Sequence, residues 1–320
     1  MSEPAEDLVG KIPVSRIRRW IRRAIVLASG ITAVVGVLTL AHFPWDVDGA
    51  DASALSDSSR LFYEQAYALS SPKIDYDAAK VSQPTKSLYH EPVSEFVRQY
   101  GLEDKRVLEI GAGAGALQDV VDSYVGLDIA ESARSNFHKP FVQGSATDLP
   151  FEDGQFDVIW TVYTLEHVPN PEKALSEMRR VVTDGGYLYV APAWDVPWWR
   201  PRGYDLLPYS ELDLKGKVVR AAVAPVQQSF PYICLHRIPA HAVRSAWWYM
   251  TGAPTTLRYK KLEPLYERYL GPDSDAVNGL DAFEAALWFR SRGDECLNCV
   301  SGLHASVRTW GHPLIIRVHK

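Results

Sequence analysis

The sequence feature that most constrains the fold is the run of residues 107–116, which reads VLEIGAGAGA. Hydrophobic residues around an acid lead into glycines at every second position, Gly111, Gly113 and Gly115. The pattern predicts a buried parallel strand that ends in a turn, because glycine tolerates positive φ and lets the backbone approach a ligand. A helix starting near Ala114 would point its free N–H groups at that ligand. Alone, the run also fits the G-x-G-x-x-A motif of nicotinamide and flavin folds, so the residues after it decide the cofactor class.

Predicted strands and helices alternate after the glycines. Asp128 ends the second predicted strand, where an acid can accept hydrogen bonds from both hydroxyls of a ribose. A competing interpretation makes Asp128 the cap of a helix over 131–136. Amphipathic spacing predicts a longer helix over Pro171–Val181, and a short one is expected over 117–122. The other predicted strands are 124–127, 141–146, 154–160 and 187–190.

The end of the chain predicts a helix over 281–292 and a closing hairpin of 295–300 with 314–318. With the D-L-P-F of 148–151 and the L-E-H-V of 165–168, this order of elements resembles the class I S-adenosylmethionine-dependent methyltransferases of the type 11 branch. The resemblance is close over about residues 100–193. It implies an α/β fold with a Rossmann-like seven-stranded sheet, mostly parallel with an antiparallel final strand, and helices on both faces. A nicotinamide-dependent oxidoreductase would need a parallel final strand instead.

The resemblance also implies S-adenosyl-L-methionine as the cofactor and assigns cofactor-binding residues. Glu109 and the three glycines match the motif that holds the methionine part, and Asp128 matches the ribose-binding acid. One position departs from the family, which commonly has Asp where this chain has Ser145. A hydroxyl there accepts a hydrogen bond without charge assistance, so the backbone N–H of Ala146 is the expected adenine contact. Asp148 and Leu149 match the loop under the adenine.

Candidate catalytic residues follow the fourth predicted strand. Methyl transfer is an in-line displacement, and a hydroxyl acceptor benefits from a general base. His167 titrates near neutral pH and is the predicted base, although the same segment has a structural role across much of the family. Tyr163 is expected to face the sulfonium through a cation–π contact.

The region after the fifth strand predicts an insertion that contacts the acceptor or a membrane. It is rich in aromatic and cationic residues, and the candidate substrate contacts are Trp194, Asp195, Trp198 and Trp199. Tryptophan stacks on sugar rings and arginine pairs with phosphate, which favours a saccharide or lipid-linked saccharide acceptor. The same residues suit a membrane interface, and a third interpretation makes them the insertion's own core.

The first fifty residues predict a membrane anchor. A basic block precedes residues 24–44, which carry no Asp, Glu, Lys or Arg and are long enough to span a bilayer. The positive-inside rule puts the N-terminus in the cytoplasm and the remainder outside, whereas cofactor supply favours the cytosol, so the side of the catalytic domain stays open. The predicted organisation is a basic N-terminus (1–23), a single transmembrane helix (24–44), a linker (45–59), a helical cap (60–100), the cofactor-binding core (101–193), the insertion (194–279), and a final helix and hairpin (280–320).

Bulk properties exclude some classes of protein. A net charge of −5 argues against a general nucleic-acid partner. Cys296-x-x-Cys299 has no second cysteine pair, so no metal site is expected and a buried strand is favoured there. We therefore expect a membrane-associated methyltransferase that O-methylates a saccharide, lipid-linked saccharide or other small molecule. The alternative is a catalytically silent methyltransferase-like domain that acts as a membrane-tethered binding or scaffold protein.

Overall fold

Residues 14–40, 52–68, 89–223, 233–266, 270–299 and 312–320 are described by a computed structural model. The strands within these ranges are β1 (Val107–Ile110), β2 (Tyr124–Asp128), β3 (Phe141–Gln143), β4 (Phe156–Val162), β5 (Val182–Ala191), β6 (Tyr259–Lys261), β7 (Asn278–Leu280), β8 (Glu295–Cys296) and β9 (Leu314–Arg317). One sheet has the order β3-β2-β1-β4-β5-β9-β8, and β6 pairs with β7 in a separate antiparallel ribbon.

The helices are α1 (Val14–Leu40), α2 (Ala52–Tyr67), α3 (Glu91–Tyr100), α4 (Pro171–Val181), α5 (Leu214–Val223), α6 (Ile238–Thr251) and α7 (Ala282–Arg290). Short 3-10 turns cover Glu131–Asn136 and Leu165–His167, and a π-helical turn covers Ile233–Arg237. Helix α4 begins where it was predicted, because the Asn170 side chain accepts the Lys173 N–H and Pro171 occupies the first turn. In α7, Asp281 caps the first turn by accepting the Phe283 N–H.

The sheet confirms the predicted architecture. Strands β1 to β5 pair in parallel, whereas β9 is antiparallel to β5 and β8 is antiparallel to β9. Apolar side chains cover both faces: α4 and α7 contribute to one core cluster and α3 to the other. Burial on both faces explains why β1 is hydrophobic apart from Glu109. The final antiparallel hairpin separates this sheet from that of a nicotinamide-binding fold.

Some predicted boundaries are wrong. No helix follows the glycines; residues 113–122 form successive turns instead, because Gly113 and Gly115 have positive φ and interrupt a helical path. Strand β5 starts at Val182, directly after α4, rather than at 187. Residues 52–59, predicted as linker, form the first turns of α2. The predicted helical cap is described only in part, since residues 69–88 lie outside the described ranges.

The predicted transmembrane helix is not confirmed. Within the described ranges no helix is both long and apolar enough to cross a membrane. Helix α1 contains residues 24–40 of the predicted span, but five of its first ten residues are arginines, and residues 41–44 lie outside the described ranges. The side chains of α1 are exposed from 15 to 34, with Trp20 72% and Val26 71% exposed.

The two cysteines near the C-terminus form a disulfide. Cys296 at the end of β8 is bonded to Cys299, with their Cα atoms 5.5 Å apart. Of the strand predicted over 295–300, only 295–296 is a strand and 297–299 is not, because the bond closes a turn there; residue 300 lies outside the described ranges. With both sulfurs in the disulfide, this pair does not supply zinc ligands.

The insertion folds against the last helix of the core through buried ion pairs. Arg244 of α6 makes a forked contact with Glu284 of α7, at 2.8 to 3.1 Å, and both side chains are buried. His241 Nε2 lies 2.9 Å from Asp281 Oδ2 at the start of α7. The insertion is thus joined to the methyltransferase-type core by charged contacts as well as by apolar packing.

Candidate active site

The glycine turn after β1 forms one wall of a cavity of about 760 Å³. Gly111, Gly113 and Gly115 all have φ between 50° and 74°, a conformation that favours glycine. A Cβ atom on Gly111 would lie 2.1 Å from the Thr164 side chain, so the turn and the end of β4 are in close contact. The Cβ positions of Gly113 and Gly115 are likewise filled by protein, by the Tyr67 and Gln118 side chains, so the glycines let the turn pack closely against its surroundings.

Asp128 lies at the end of β2, where the sequence predicts the ribose-binding acid. Its side chain is buried and lines the cavity. One carboxylate oxygen accepts the Gly113 N–H at 2.8 Å, and the other accepts the Ala130 N–H at 3.0 Å. Burial raises the pKa of Asp128, and these backbone hydrogen bonds oppose the rise. Asp128 therefore fixes the glycine turn and presents an acceptor to the cavity.

Glu109 is a buried acid in β1, two residues before the glycine turn. It lines the cavity and accepts a hydrogen bond from the Tyr124 hydroxyl. Burial raises the pKa of Glu109 to about 8, although hydrogen bonds from Tyr124 and Trp160 act in the opposite direction. The side chain is thus poised to exchange a proton near neutral pH.

Of the four residues predicted around the adenine, two line the cavity. Ser145 and Ala146 do so, whereas Asp148 and Leu149 are not among the lining residues. The Ser145 hydroxyl lies 2.9 Å from the Thr147 hydroxyl and accepts the Thr147 N–H at 3.2 Å. Leu149 is buried in the core. Ser145 thus stabilises its own turn, and the adenine contacts assigned to these residues stay predictions.

These residues fit S-adenosylmethionine. A cavity of this size lies within the range of about 300–1,000 Å³ typical of small-molecule sites. Gly111 with its positive φ, the buried acid Asp128 at the end of β2 and the acid Glu109 in β1 all line this cavity, whereas Gly113 and Gly115 do not line it. Glu109 and the glycine turn would hold the amino-acid part, and Asp128 the ribose hydroxyls.

The far end of the cavity contains a cluster of acids around His167, which we call the acidic cluster: Glu166, His167, Asp273 and Asp275. His167 Nδ1 lies 3.5 Å from Asp275 Oδ2, and its Nε2 lies 3.8 Å from Glu166 Oε1. Asp275 also accepts a hydrogen bond of 2.5 Å from the Tyr63 hydroxyl of α2. Among the described residues, neither carboxylate oxygen of the fully buried Glu166 has a hydrogen-bond partner.

In the acidic cluster, burial and the neighbouring charges have opposite effects on the pKa values of Glu166 and His167. Burial raises the pKa of Glu166 to about 7, and the neighbouring His167 only partly offsets this. Burial opposes protonation of His167, but the negative charges of Asp275, Glu166 and Asp273 outweigh it and raise the pKa of His167. The neighbouring negative charges therefore favour the protonated form of His167, which makes it a weaker proton acceptor than the sequence predicts.

Hydrogen bonds between distant segments assemble the acidic cluster. The Val277 N–H donates to the Glu166 carbonyl at 2.9 Å. The buried Asn278 side chain donates to the carbonyls of Leu165 and Val168, both at 2.7 Å. Sequence reasoning missed Asp273 and Asp275, because they lie more than a hundred residues after β4. A signal was present in the sequence: two acids stand just before β7, and the asparagine is the first residue of that strand.

The two predicted catalytic residues both line the cavity. His167 belongs to the acidic cluster, and Tyr163 lies at the end of β4 with a φ of 48°. Tyr163 packs edge-to-face on Tyr89, with ring centroids 5.2 Å apart. Tyr63, Tyr67 and Tyr89 also line the cavity and were not predicted. An aromatic wall therefore lies beside the acidic cluster.

The four predicted substrate contacts lie outside the cavity wall. Trp194 is buried and donates its indole N–H to the His312 carbonyl at 3.1 Å. Asp195 pairs with Arg237 at 2.8 Å. Trp198 and Trp199 pack edge-to-face on each other within the insertion. Trp198 and Trp199 thus pack within the insertion, as the third interpretation has it, whereas Trp194 packs into the main core; a role in acceptor binding stays a prediction.

Comparison with known proteins agrees with the cofactor half of the site. Residues 108–190 match the family described as Methyltransferase domain. The chain is 36% identical to a fatty-acid O-methyltransferase of Mycolicibacterium smegmatis over 35% of this chain and 45% of that protein. It is 33% identical to a probable phthiotriol/phenolphthiotriol dimycocerosates methyltransferase 2 of Mycobacterium ulcerans, over 40% of this chain and 55% of that protein. The chain thus spans about half the length of these curated relatives.

A solved structure with a similar core is the phosphoethanolamine N-methyltransferase 1 of Haemonchus contortus, in complex with phosphoethanolamine and S-adenosylhomocysteine. The two chains are 18% identical, the match covers 46% of this chain and 34% of that chain, and the TM-score is 0.36. The family match and the sheet order together identify a methyltransferase domain at residues 108–190.

Proposed function

We propose that this protein transfers a methyl group from S-adenosylmethionine to a hydroxyl group of a lipid-like small molecule. The observation that carries the proposal is that one cavity is lined both by Asp128 and Glu109, on β2 and β1, and by the acidic cluster, whose Glu166 and His167 follow the neighbouring β4. The two curated relatives support a lipid-like acceptor, because their names refer to a fatty acid and to phthiotriol dimycocerosates.

The charge of the cavity favours a hydroxyl over a carboxylate as the acceptor. Glu166, Asp273 and Asp275 lie together in a partly desolvated site, where like charges repel strongly. In the absence of a bound cation, a fatty-acid carboxylate would add a further negative charge beside these acids, whereas a hydroxyl adds none.

A lipid-like acceptor also takes precedence over the saccharide expected from the tryptophans. That expectation depended on Trp194, Trp198 and Trp199 facing the acceptor, and none of them lines the cavity. The residues beside the acidic cluster are instead tyrosines and apolar side chains such as Val162 and Val168. These surfaces suit an apolar molecule with one polar end.

The chain's own groups have three tasks in the reaction. When bound, the cofactor supplies an electrophilic methyl group and leaves as S-adenosylhomocysteine. The tyrosines and the close-packed glycine turn exclude water, and the cavity walls align the acceptor oxygen with the methyl group. The acidic cluster takes the proton that the hydroxyl loses as its oxygen forms the new bond to carbon.

The test is an incubation of the purified full chain with S-adenosylmethionine and separate lipid and glycan extracts. We expect a lipid that gains the mass of one methylene group, detected by mass spectrometry, and no product with Asp128→Asn. Product in the glycan extract alone would replace the lipid proposal with the saccharide one. No product in either extract and no binding of S-adenosylhomocysteine would favour the scaffold alternative.

We further propose that α1 attaches the protein to an anionic membrane surface. Its exposed apolar side chains, such as Trp20, Val26 and Leu27, stand beside five arginines, a combination that suits a lipid interface. Co-sedimentation of the full chain with anionic vesicles tests this, with Arg18→Gln/Arg19→Gln as the weakened variant and Arg98→Gln as the control. Equal recovery in the supernatant with and without vesicles would refute the proposal.

A further inference from the structure

The acidic cluster brings three acidic side chains together with a single basic one. Arg200, which acts electrostatically on Asp273, is itself paired with Asp205 at 2.9 Å. Glu166 is fully buried. Buried charges in proteins are normally paired or coordinate a metal ion, because an unpaired charge is costly to desolvate. The cluster therefore calls for a positively charged ligand.

The donor atoms of the cluster converge on one point. One ligand atom each from Glu166, His167 and Asp273 lie within 4.8 Å of one another, and all three residues line the cavity. Within the described part of the chain neither Glu166 oxygen accepts a hydrogen bond of normal geometry, although the backbone N–H groups of Glu166 and Ala193 act on this carboxylate. Two observations, convergent ligand atoms and a fully buried carboxylate without a well-formed hydrogen bond, thus point to the same ligand.

We propose that Glu166, His167 and Asp273 bind a divalent metal ion at the acceptor end of the cavity. One imidazole nitrogen with two carboxylate oxygens is a ligand set that suits Mn²⁺ or Zn²⁺. Three protein ligands leave a coordination position free, as in catalytic rather than structural metal sites. A cationic amine on the acceptor would also neutralise the charge, but it would not require an imidazole nitrogen to converge with the carboxylates.

The role of the ion, though not its binding, rests on the proposed function. The acceptor hydroxyl occupies the free position, and the ion lowers the pKa of that hydroxyl. Its proton passes to Asp275, which is not one of the three ligands and lies beside His167. The oxygen then forms its bond to the methyl carbon as the carbon–sulfur bond breaks, and that electron pair stays on sulfur. Coordination would also keep His167 neutral.

The test is direct metal binding to the full chain after treatment with a chelator. Titration with Mn²⁺, followed by electron paramagnetic resonance and by calorimetry, is expected to show one ion per chain that Zn²⁺ displaces. Glu166→Gln and Asp273→Asn should each weaken Mn²⁺ binding by at least about tenfold. Asp122→Asn, an acid on the surface away from the cavity, should leave it unchanged.

Binding of S-adenosylhomocysteine in the presence of chelator serves as the folding control for every variant. The metal proposal is overturned if a wild-type chain that binds S-adenosylhomocysteine takes up neither Mn²⁺ nor Zn²⁺, or if both variants bind as the wild type does. A wild type that binds Mn²⁺ but not S-adenosylhomocysteine would instead refute the proposed function and leave the metal site standing. The two failures are therefore distinguishable.

Discussion

The two ends of the cavity are built in different ways. At the cofactor end, Glu109, the glycine turn and Asp128 lie within twenty residues of chain and are held mainly by backbone hydrogen bonds. At the acceptor end, the loop after β4 meets residues that lie more than a hundred positions later, through Asn278 and Val277. A local motif thus fixes the cofactor, whereas the acceptor depends on how the insertion packs against the core.

The largest expected effect tests whether the insertion depends on its ion pair with α7. Arg244→Met leaves the buried Glu284 carboxylate without its partner and should destabilise the protein by about 3–5 kcal/mol. Urea denaturation measures the free energy of unfolding. Arg98→Met is the matched control, since its ion pair with Glu95 is exposed and should contribute less than about 1 kcal/mol. Equal effects of the two variants would mean that the insertion packs independently of this pair.

The second-largest effect tests the close approach of the Gly111 backbone to the Thr164 side chain. Gly111→Ala combines an unfavourable positive φ with a clash against Thr164 and should cost about 2–3 kcal/mol, with loss of S-adenosylhomocysteine binding. Gly101→Ala has a similar φ but open space around its Cβ, so only the backbone cost of about 1–2 kcal/mol is expected. Thermal unfolding and calorimetry on both variants separate strain from contact. If they behave alike, the close contact with Thr164 is unimportant.

Asp128→Asn tests the acid at the end of β2. Loss of its charge removes charge-assisted hydrogen bonds to a ribose and should weaken S-adenosylhomocysteine binding by about 2 kcal/mol. Isothermal titration calorimetry gives the affinity. Asp157→Asn is the control, because Asp157 pairs with Arg106 at the opposite end of the sheet and should not change the affinity. An unchanged affinity in Asp128→Asn would remove the ribose assignment.

The pH dependence of stability tests the buried acid of β1. The folded chain keeps a proton on Glu109 up to a pKa of about 8, well above the usual value of an exposed glutamate. This contribution is fully present below the unfolded pKa and is lost as pH rises towards about 8, at a slope of about 1.4 kcal/mol per pH unit. The unfolding free energy of the wild type should therefore fall as the pH rises from mildly acidic to neutral. Glu109→Gln should make that fall less steep. Glu152→Gln on the surface should keep the wild-type slope.

The smallest expected effect concerns the position where this chain departs from the family. Ser145→Asp supplies a charged acceptor beside the cavity and should tighten S-adenosylhomocysteine binding by less than about 1 kcal/mol, as measured by calorimetry. Ser145→Ala is the matched comparison and should leave affinity almost unchanged, since the hydroxyl already bonds to Thr147. A loss of affinity in Ser145→Ala would show that the hydroxyl contacts the cofactor.

The difference between the two ends also explains which features of the fold and of the site could be predicted from the sequence. The strand order, the closing hairpin and the positions of Glu109 and Asp128 follow from local patterns of hydrophobicity, glycine and acid. The acidic cluster does not, because no local pattern brings Asp273 to Glu166. The tryptophans of the insertion were assigned to the acceptor on their chemistry alone, but Trp194 and Trp199 are buried by contacts that only the fold supplies.

Helix α2 is part of neither end of the cavity, but hydrogen bonds join it to both. Glu64 accepts the N–H groups of Glu131 and Ser132 near the cofactor, at 2.7 and 2.9 Å, while Tyr63 donates to Asp275 in the acidic cluster. A shortened chain that begins inside this helix would lose a wall shared by both ligands, however stable its sheet remained. Any truncation intended for biochemistry or crystallisation should therefore start before Ala52, even though the matched family begins only at residue 108.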